Sequence, residues 1–185
     1  LHKDPSALFE WVKFRSHLSR GVTVGTMLQD EALHFLRIGT FLERADNTAR
    51  LLDVKFQSLA GDDYFGPRPS SSKEAQKEAV QEVDFYHWSA VLRSVSGFEV
   101  YRKVYRNVIR PDRVAELLIL RPDMPRSLAA CMNALMLNLG LVANAQSDET
   151  LRRAGRLHSD LKYGRIDEIL ATGLHAYLTQ FLDRV

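Results

Sequence analysis

The chain has 185 residues, of which 45% are hydrophobic and 26% charged, a balance typical of a folded globular domain that excludes a disordered chain. The formal net charge of +2 is too small to indicate nucleic-acid binding, so no nucleic-acid partner is predicted. The single cysteine, Cys131, excludes an internal disulfide and a cysteine-based zinc cluster, and this cysteine usage makes a reducing, cytoplasmic location the expected one.

Two helices are predicted at the start of the chain. Asp4-Pro5 predicts a helix start and Gly21 its end, while a long central helix is predicted over about 26–60. Gly39 inside the long helix predicts close packing, because a glycine there costs about 1 kcal/mol relative to alanine. Apolar residues recur at steps of three and four, which favours one continuous apolar face. They are Phe35, Ile38, Leu42, Ala45, Ala49, Leu52, Phe56 and Leu59.

Residues 61–72 contain two glycines, two prolines and three serines, which disfavour both helix and strand. They predict a flexible loop between two helices of one domain that spans 1–185. Further helices are predicted over about 73–95, 97–109, 112–120, around Cys131, from Ser147 to near Gly164, and over 166–184. No period-two strand pattern is present in the sequence, so the predicted fold is an all-α multi-helix bundle. Residues 127–146 are uncharged, but three asparagines indicate a buried bundle helix, and no membrane span is predicted.

The long helix carries a concentrated polar motif. At 100° per residue, Glu43, Asn47 and Arg50 fall on one side, roughly opposite the apolar face. Glu43 and Arg44 are the candidates for catalysis, with the glutamate as acid or base and an arginine holding a carboxylate or phosphate. Asp46, Asn47 and Arg50 are candidate ligand-binding residues. The alternative is an exposed face with ordinary pairs, such as Asp46 with Arg50.

A second polar pattern places a carboxylate three residues before a histidine. It occurs as Glu31 with His34 and as Asp84 with His87. Di-iron bundles use paired Glu-x-x-His elements and two further glutamates. Here the second copy begins with aspartate and no partner glutamates are assignable. Helix-start acids and a core histidine are therefore the preferred interpretation, and neither a metal site nor a cofactor is predicted.

A basic run follows at residues 101–106. Arg102 and Arg106 beside tyrosines are candidates to hold a phosphate or carboxylate, and the alternative is a solvated surface face. The sequence contains no glycine-rich phosphate loop, no Gly-x-Ser-x-Gly and no His-Glu-x-x-His.

The segment Phe41-Leu42-Glu43-Arg44-Ala45-Asp46-Asn47-Thr48-Ala49-Arg50-Leu51-Leu52 resembles the signature of the Alpha-E family, named for its helices and its Glu-Arg motif. Residues 28–39, Glu99-Val100-Tyr101-Arg102 and Met124-Pro125-Arg126-Ser127 fit the same pattern, and the chain is similar to the C-terminal portion of a member. The resemblance implies a helical domain of undetermined activity, associated with ATP-grasp ligases and transglutaminase-like proteins in peptide-forming or peptide-modifying systems. It transfers no catalytic role to any residue.

Two hypotheses follow. The first is a non-catalytic helical module that docks with an ATP-grasp-type ligase or a transglutaminase-like protein, or presents its substrate. The second is an enzyme of unknown reaction that uses Glu43 and Arg44. The sequence favours the module, because helical surface is abundant and no catalytic motif accompanies it. A homo-oligomer is compatible with both hypotheses.

Overall fold

A computed structural model describes residues 4–59, 85–106 and 108–185, with the backbone alone for 55–59. Within these ranges every regular element is a helix and no strand is present. The predicted all-α fold is therefore confirmed. The predicted loop at 61–72 and the first half of the predicted helix at 73–95 lie outside the described residues.

The boundary between the first two helices lies at a different place in the chain from the predicted one. Helix α1 comprises Pro5–Thr26 and α2 comprises Glu31–Leu59. The predicted end of α1 at Gly21 is wrong, because a single glycine weakens a helix by only about 1 kcal/mol and need not end it. The long helix therefore begins at Glu31 rather than near 26. The Asp30 carboxylate accepts a hydrogen bond from the Leu33 amide at 3.3 Å, which caps this start.

Residues 85–94 form α3, and the later helices follow it closely in the chain. They are α4 (Phe98–Tyr105), α5 (Pro111–Ile119), α6 (Leu128–Leu141), α7 (Asp148–Tyr163), α8 (Ile166–Thr172) and α9 (Leu174–Arg184). The helix predicted over 97–109 ends early, because Arg106 adopts a left-handed φ of 51°. The helix predicted over 166–184 is divided into α8 and α9 at Gly173, whose φ is 97°.

Helix α2 packs most extensively against α6, and also contacts α5 and α9. Ala45, Ala49 and Leu52 are fully buried, and Ile38 and Leu42 are partly buried against the same core, as the apolar periodicity predicts. Small alanine side chains allow the backbones of two helices to approach closely. Phe35, the predicted upstream extension of this face, is instead 58% exposed.

Core residues also come from α3 and the residue that follows it, from α5 and from α9, and those of α5 form the most continuous buried segment. They are Trp88, Val91, Leu92, Val95, Val114, Ala115, Leu117, Leu118, Ile119, Leu174, Leu178 and Phe181. The core therefore lies between α2, α3, α5, α6 and α9, with further buried residues from α4, α7 and α8.

Helix α6 is buried on one side only. Leu128, Met132 and Leu135 pack in the core, whereas Leu137 is 66% and Leu141 58% exposed. The expectation that α6 is the buried centre of the bundle is therefore only half right, since one side remains open. No helix in the described part of the chain combines the length and the apolar content that a membrane crossing requires.

Helix α1 buries none of its residues. It nevertheless carries large apolar side chains that are at least 45% exposed, namely Leu8, Phe9, Trp11, Val12, Phe14, Leu18, Val22 and Val24. Its C-terminal half approaches α2 and α6 across a cleft.

Candidate functional site

An open cleft of about 730 Å³ lies between α1, α2 and α6. The polar residues that line it come from all three helices and from the turn that precedes α6. They are Ser16, His17, Ser19, Arg20 and Thr23 from α1, Arg37, Thr40, Glu43, Arg44 and Asn47 from α2, Arg126 from the turn, and Asn138 from α6.

Glu43 and Arg44 both line this cleft and do not pair with each other. Consecutive helical residues point about 100° apart, which directs the two side chains to different parts of the cleft wall. Glu43 is exposed, and among the residues that the structure describes its carboxylate has no hydrogen-bond or ion-pair partner. It is therefore open to a ligand.

Arg44 is held in place by the protein itself. Its Nη1 donates a long hydrogen bond to the Pro125 carbonyl at 3.3 Å, and its guanidinium lies 5.4 Å from the centre of the Phe41 ring. Burial lowers the pKa of Arg44, and the positive charges of Arg20 and Arg126 lower it further. An arginine remains charged after such a shift. The cleft therefore has a positive local field.

Four arginines line the cleft, namely Arg20, Arg37, Arg44 and Arg126. Among the described lining residues Glu43 is the only acidic one, and within the described chain none of the four arginines forms an ion pair. Of the arginines elsewhere in the described chain, six are paired at close range with carboxylates, one at longer range and six not at all. The pairs are Arg50–Asp46, Arg110–Asp112, Arg113–Glu116, Arg121–Asp123, Arg152–Glu149 and Arg184–Asp160. The cleft is thus a local concentration of uncompensated positive charge.

The turn before α6 is anchored by two hydroxyl groups. The buried Thr48 hydroxyl donates to the Arg126 carbonyl at 3.0 Å, which ties α2 to the turn. The Ser127 hydroxyl accepts from the Ala130 amide at 2.9 Å and donates to the Arg121 carbonyl. Together these bonds fix the backbone of Arg126 at the cleft edge.

His34 is bonded within the protein. Its Nδ1 donates to the Asn138 Oδ1 at 2.9 Å, because the Asn138 Nδ2 donates to the Ala134 carbonyl at 2.7 Å and the oxygen must accept. Glu31, three residues earlier, is exposed. His87 lies on α3, and Asp84 lies outside the described residues. Within the described ranges no three histidine, cysteine or acidic side chains are grouped so that they could hold a metal ion.

The remaining predicted site residues, with the exception of Asn47, lie outside the cleft. Arg50 and Asp46 form the expected i,i+4 pair, with bonds of 2.8 and 3.0 Å. Arg102 and Arg106 are exposed on α4 and at its end. Because α4 ends at Tyr105 and Arg106 adopts a left-handed φ, these two arginines do not lie on one continuous helix. Of the ligand-binding candidates, Asn47 alone lines the cleft.

Cys131 is not available for nucleophilic chemistry. Its side chain is buried, and burial raises the pKa of its thiol to about 11, although Arg44 and Arg126 act in the opposite direction. A thiol with that pKa is protonated at neutral pH, and the thiolate is the reactive form.

Sequence reasoning gave no role to Arg20, Arg37 and Arg126. A usable signal exists for Arg37, because Arg37, Thr40, Arg44 and Asn47 recur at steps of three and four and so share one side of α2. Arg20 and Arg126 come from other elements, and only the packing of the helices brings them to α2.

The fold and this cleft define the class of the protein, which is an all-helical domain with a Glu-Arg dipeptide at an arginine-lined cleft. A family model described as "Alpha-E: A predicted alpha-helical domain with a conserved ER motif" matches residues 1–185. The chain therefore belongs to the Alpha-E family, and Glu43-Arg44 is the one Glu-Arg dipeptide in its sequence. Neither the curated proteins nor the solved structures gave a match.

Proposed function

We propose that the domain is a non-catalytic helical module that binds an anionic ligand in the cleft and acts beside an ATP-grasp-type ligase or a transglutaminase-like protein. The observation that carries the proposal is the clustering of arginines. Arg20, Arg37, Arg44 and Arg126 line one cleft together with a single carboxylate, and none of the four forms an ion pair within the described chain. Like charges brought together cost free energy that an anionic ligand would recover.

The chemistry of the cleft supports binding more than catalysis. Glutamate needs a partly dry site to act as an acid or base near neutral pH, and Glu43 is exposed. No second carboxylate lines the described cleft to share a proton with it, and the thiol of Cys131 is buried and protonated. Guanidinium groups, by contrast, bind carboxylates and phosphates in any open cleft through forked hydrogen bonds.

A protein partner is supported by α1. Exposed apolar side chains that are grouped on one element mark interaction surfaces, and α1 presents Phe9, Trp11 and Phe14 at 60–70% exposure. The family resemblance implies the kind of partner, a ligase or transglutaminase-like enzyme that forms or modifies peptides.

The test is co-expression of the full chain with the ATP-grasp-type ligase of the same organism, with an affinity tag on the ligase alone. We expect the chain to be retained with the ligase and the two to sediment as one complex at micromolar concentration. The same measurement is made with the transglutaminase-like protein. If the chain sediments as a free monomer in the presence of either protein, the proposal is contradicted.

A second function is favoured by one observation, the presence of Glu43 and Arg44 on the same cleft wall. In that case Glu43 acts as the acid or base and Arg44 binds the substrate anion. The product of the ligase would be incubated with the chain and followed by mass spectrometry. A change in mass that Glu43→Gln abolishes, with peptide binding intact, would establish the enzyme. A ligase product of unchanged mass would contradict the enzyme and favour the non-catalytic module.

A further inference from the structure

We infer that the ligand of the cleft is an acidic peptide segment, whose side-chain carboxylates are bound by Arg37, Arg44 and Arg126. The inference rests on the proposed function in one respect, that the cleft is the binding site of the module. It adds the chemical class of the ligand, which the charge, the size and the apolar wall of the cleft each restrict.

The distribution of the charge favours an anion with more than one carboxylate. The guanidiniums come from different elements, with Arg37 and Arg44 on α2, Arg20 on α1 and Arg126 on the turn before α6. Each guanidinium can bind one carboxylate in a bidentate manner. An extended peptide with several acidic side chains presents carboxylates at separate points along its length, which matches arginines distributed over three elements.

The size and the apolar wall favour a peptide over a small ion. A volume of about 730 Å³ is in the range of roughly 300–1,000 Å³ that accommodates drug-sized molecules, far more than a single phosphate needs. Leu36, Phe41 and Leu137 also line the cleft, and Leu36 and Leu137 are 46% and 66% exposed. These side chains form an apolar surface between the arginines. The hydrocarbon part of a peptide can pack against this surface.

The remaining polar groups fit peptide amides better than a chain of phosphates. Glu43 would repel a dense polyphosphate, whereas its free carboxylate can accept hydrogen bonds from peptide N–H groups, and Asn47 can both donate and accept. Phosphate sites commonly use a glycine-rich loop or free amides at a helix start. No glycine lines the described cleft, and at the start of α6 the Ala130 amide is already bonded to Ser127.

The test is fluorescence anisotropy with the full chain and a fluorescein-labelled hexapeptide that alternates glutamate and leucine. The reference peptide has glutamine in place of each glutamate. We expect the glutamate peptide to bind at least about tenfold more tightly, since hydrogen bonds between charged groups are the strong ones. Arg44→Gln should weaken binding by about tenfold. Glu43→Gln should tighten it, because the variant removes a repelling charge and keeps a side-chain oxygen that accepts from peptide N–H groups.

Arg102→Gln is the matched control, because it removes the same charge from an exposed position on α4 outside the cleft. Its effect on affinity should stay below about twofold, the weak influence of a distant exposed charge. If Arg102→Gln and Arg44→Gln weaken binding equally, the interaction is general electrostatics and the inference fails. Because Arg44 is partly buried, Arg126→Gln, which changes an exposed side chain, is measured alongside it and should also weaken binding.

Two further results would overturn the inference. Pyrophosphate that binds more tightly than the glutamate peptide and displaces it would identify a phosphate ligand, and absence of binding to both peptides would exclude an acidic peptide. Co-purification with the ligase is measured separately on the wild type. If the chain co-purifies with the ligase but does not bind the glutamate peptide, this inference alone is contradicted. If it neither co-purifies nor binds the peptide, the proposed function is contradicted as well.

Discussion

Arg44 shows how one residue can be fixed by the fold and still serve a ligand. Its Nη1 hydrogen bond to the Pro125 carbonyl and its position over the Phe41 ring use only part of the guanidinium, which has five N–H donors. The remaining donors can face the cleft. Because a held side chain loses less conformational entropy on binding than a free one, Arg44 is better prepared for a ligand than the exposed Arg126.

Gly39 is a residue at which the structure predicts a stabilising change. A Cβ at this position would have no atom outside its own helix backbone within 4 Å, so the close packing expected from the glycine is absent. Gly39→Ala should raise the free energy of unfolding by about 1 kcal/mol, because alanine has the higher helix propensity, and the melting temperature by about 2–4 °C. Differential scanning calorimetry measures both.

The control is Gly164→Ala, in which the new Cβ would lie 2.6 Å from the backbone carbonyl oxygen of Asp160. Backbone cannot move aside as a flexible side chain can, so this variant should lose about 1–3 kcal/mol. A destabilised Gly39→Ala variant would show that α2 is covered at this position.

At the scale of elements, the junction between α2 and the turn before α6 shapes one side of the cleft. Thr48 is 2% exposed and donates its hydroxyl hydrogen to the Arg126 carbonyl. The bond is partly buried, and a carbonyl left there without its partner is costly. The bond therefore both stabilises the junction and orients the residue that contributes a guanidinium to the cleft.

Thr48→Val should therefore lower the free energy of unfolding by about 1–3 kcal/mol, since valine keeps the shape of threonine and removes only the hydroxyl. Thr40→Val is the control on the same helix, because the Thr40 hydroxyl bonds only to the Leu36 carbonyl one turn earlier. Its cost should stay within about 0.5 kcal/mol. Urea unfolding compares the two variants, and equal changes would mean that the Thr48 bond to the turn adds nothing.

Sequence periodicity predicted what is local in these elements. The buried positions Ala45, Ala49 and Leu52 follow from a spacing of three and four along one helix. The ends of the helices were predicted less well from the sequence. Gly21 lies inside a helix, whereas α4 ends just before Arg106, a residue type that does not favour a left-handed φ. The cleft could not be predicted, since Arg20 and Arg126 reach α2 only through tertiary packing.

The whole molecule is asymmetric, with a core between α2, α3, α5, α6 and α9 and a helix α1 that adds no buried residue to it. Isolated helices shorter than about 12–15 residues are marginal in water, and longer ones gain most of their stability in proteins from packing. Helix α1 has 22 residues and large apolar side chains without burial. Its N-terminal half, which does not line the cleft, should therefore have low stability in the free chain.

Hydrogen exchange followed by mass spectrometry tests this. In the chain alone, amides in the N-terminal half of α1 should exchange far faster than those of α6, because a helical segment without buried contacts opens at almost no cost in free energy. Addition of the ligase partner should slow exchange in α1, where Trp11 and Phe14 are 60% and 64% exposed. Protection of α1 equal to that of α6 without a partner would show that the free chain already covers this helix.

Substitutions separate the surface role of α1 from a role in the core. The double variant Trp11→Ser, Phe14→Ser should leave the urea midpoint nearly unchanged, because neither side chain is buried, and should prevent co-purification with the ligase. Leu118→Ala, at a fully buried position in α5, should cost about 2–5 kcal/mol. If the double variant lowers the midpoint as much as Leu118→Ala does, α1 is part of the core. If it still co-purifies at the wild-type level, the partner binds another surface.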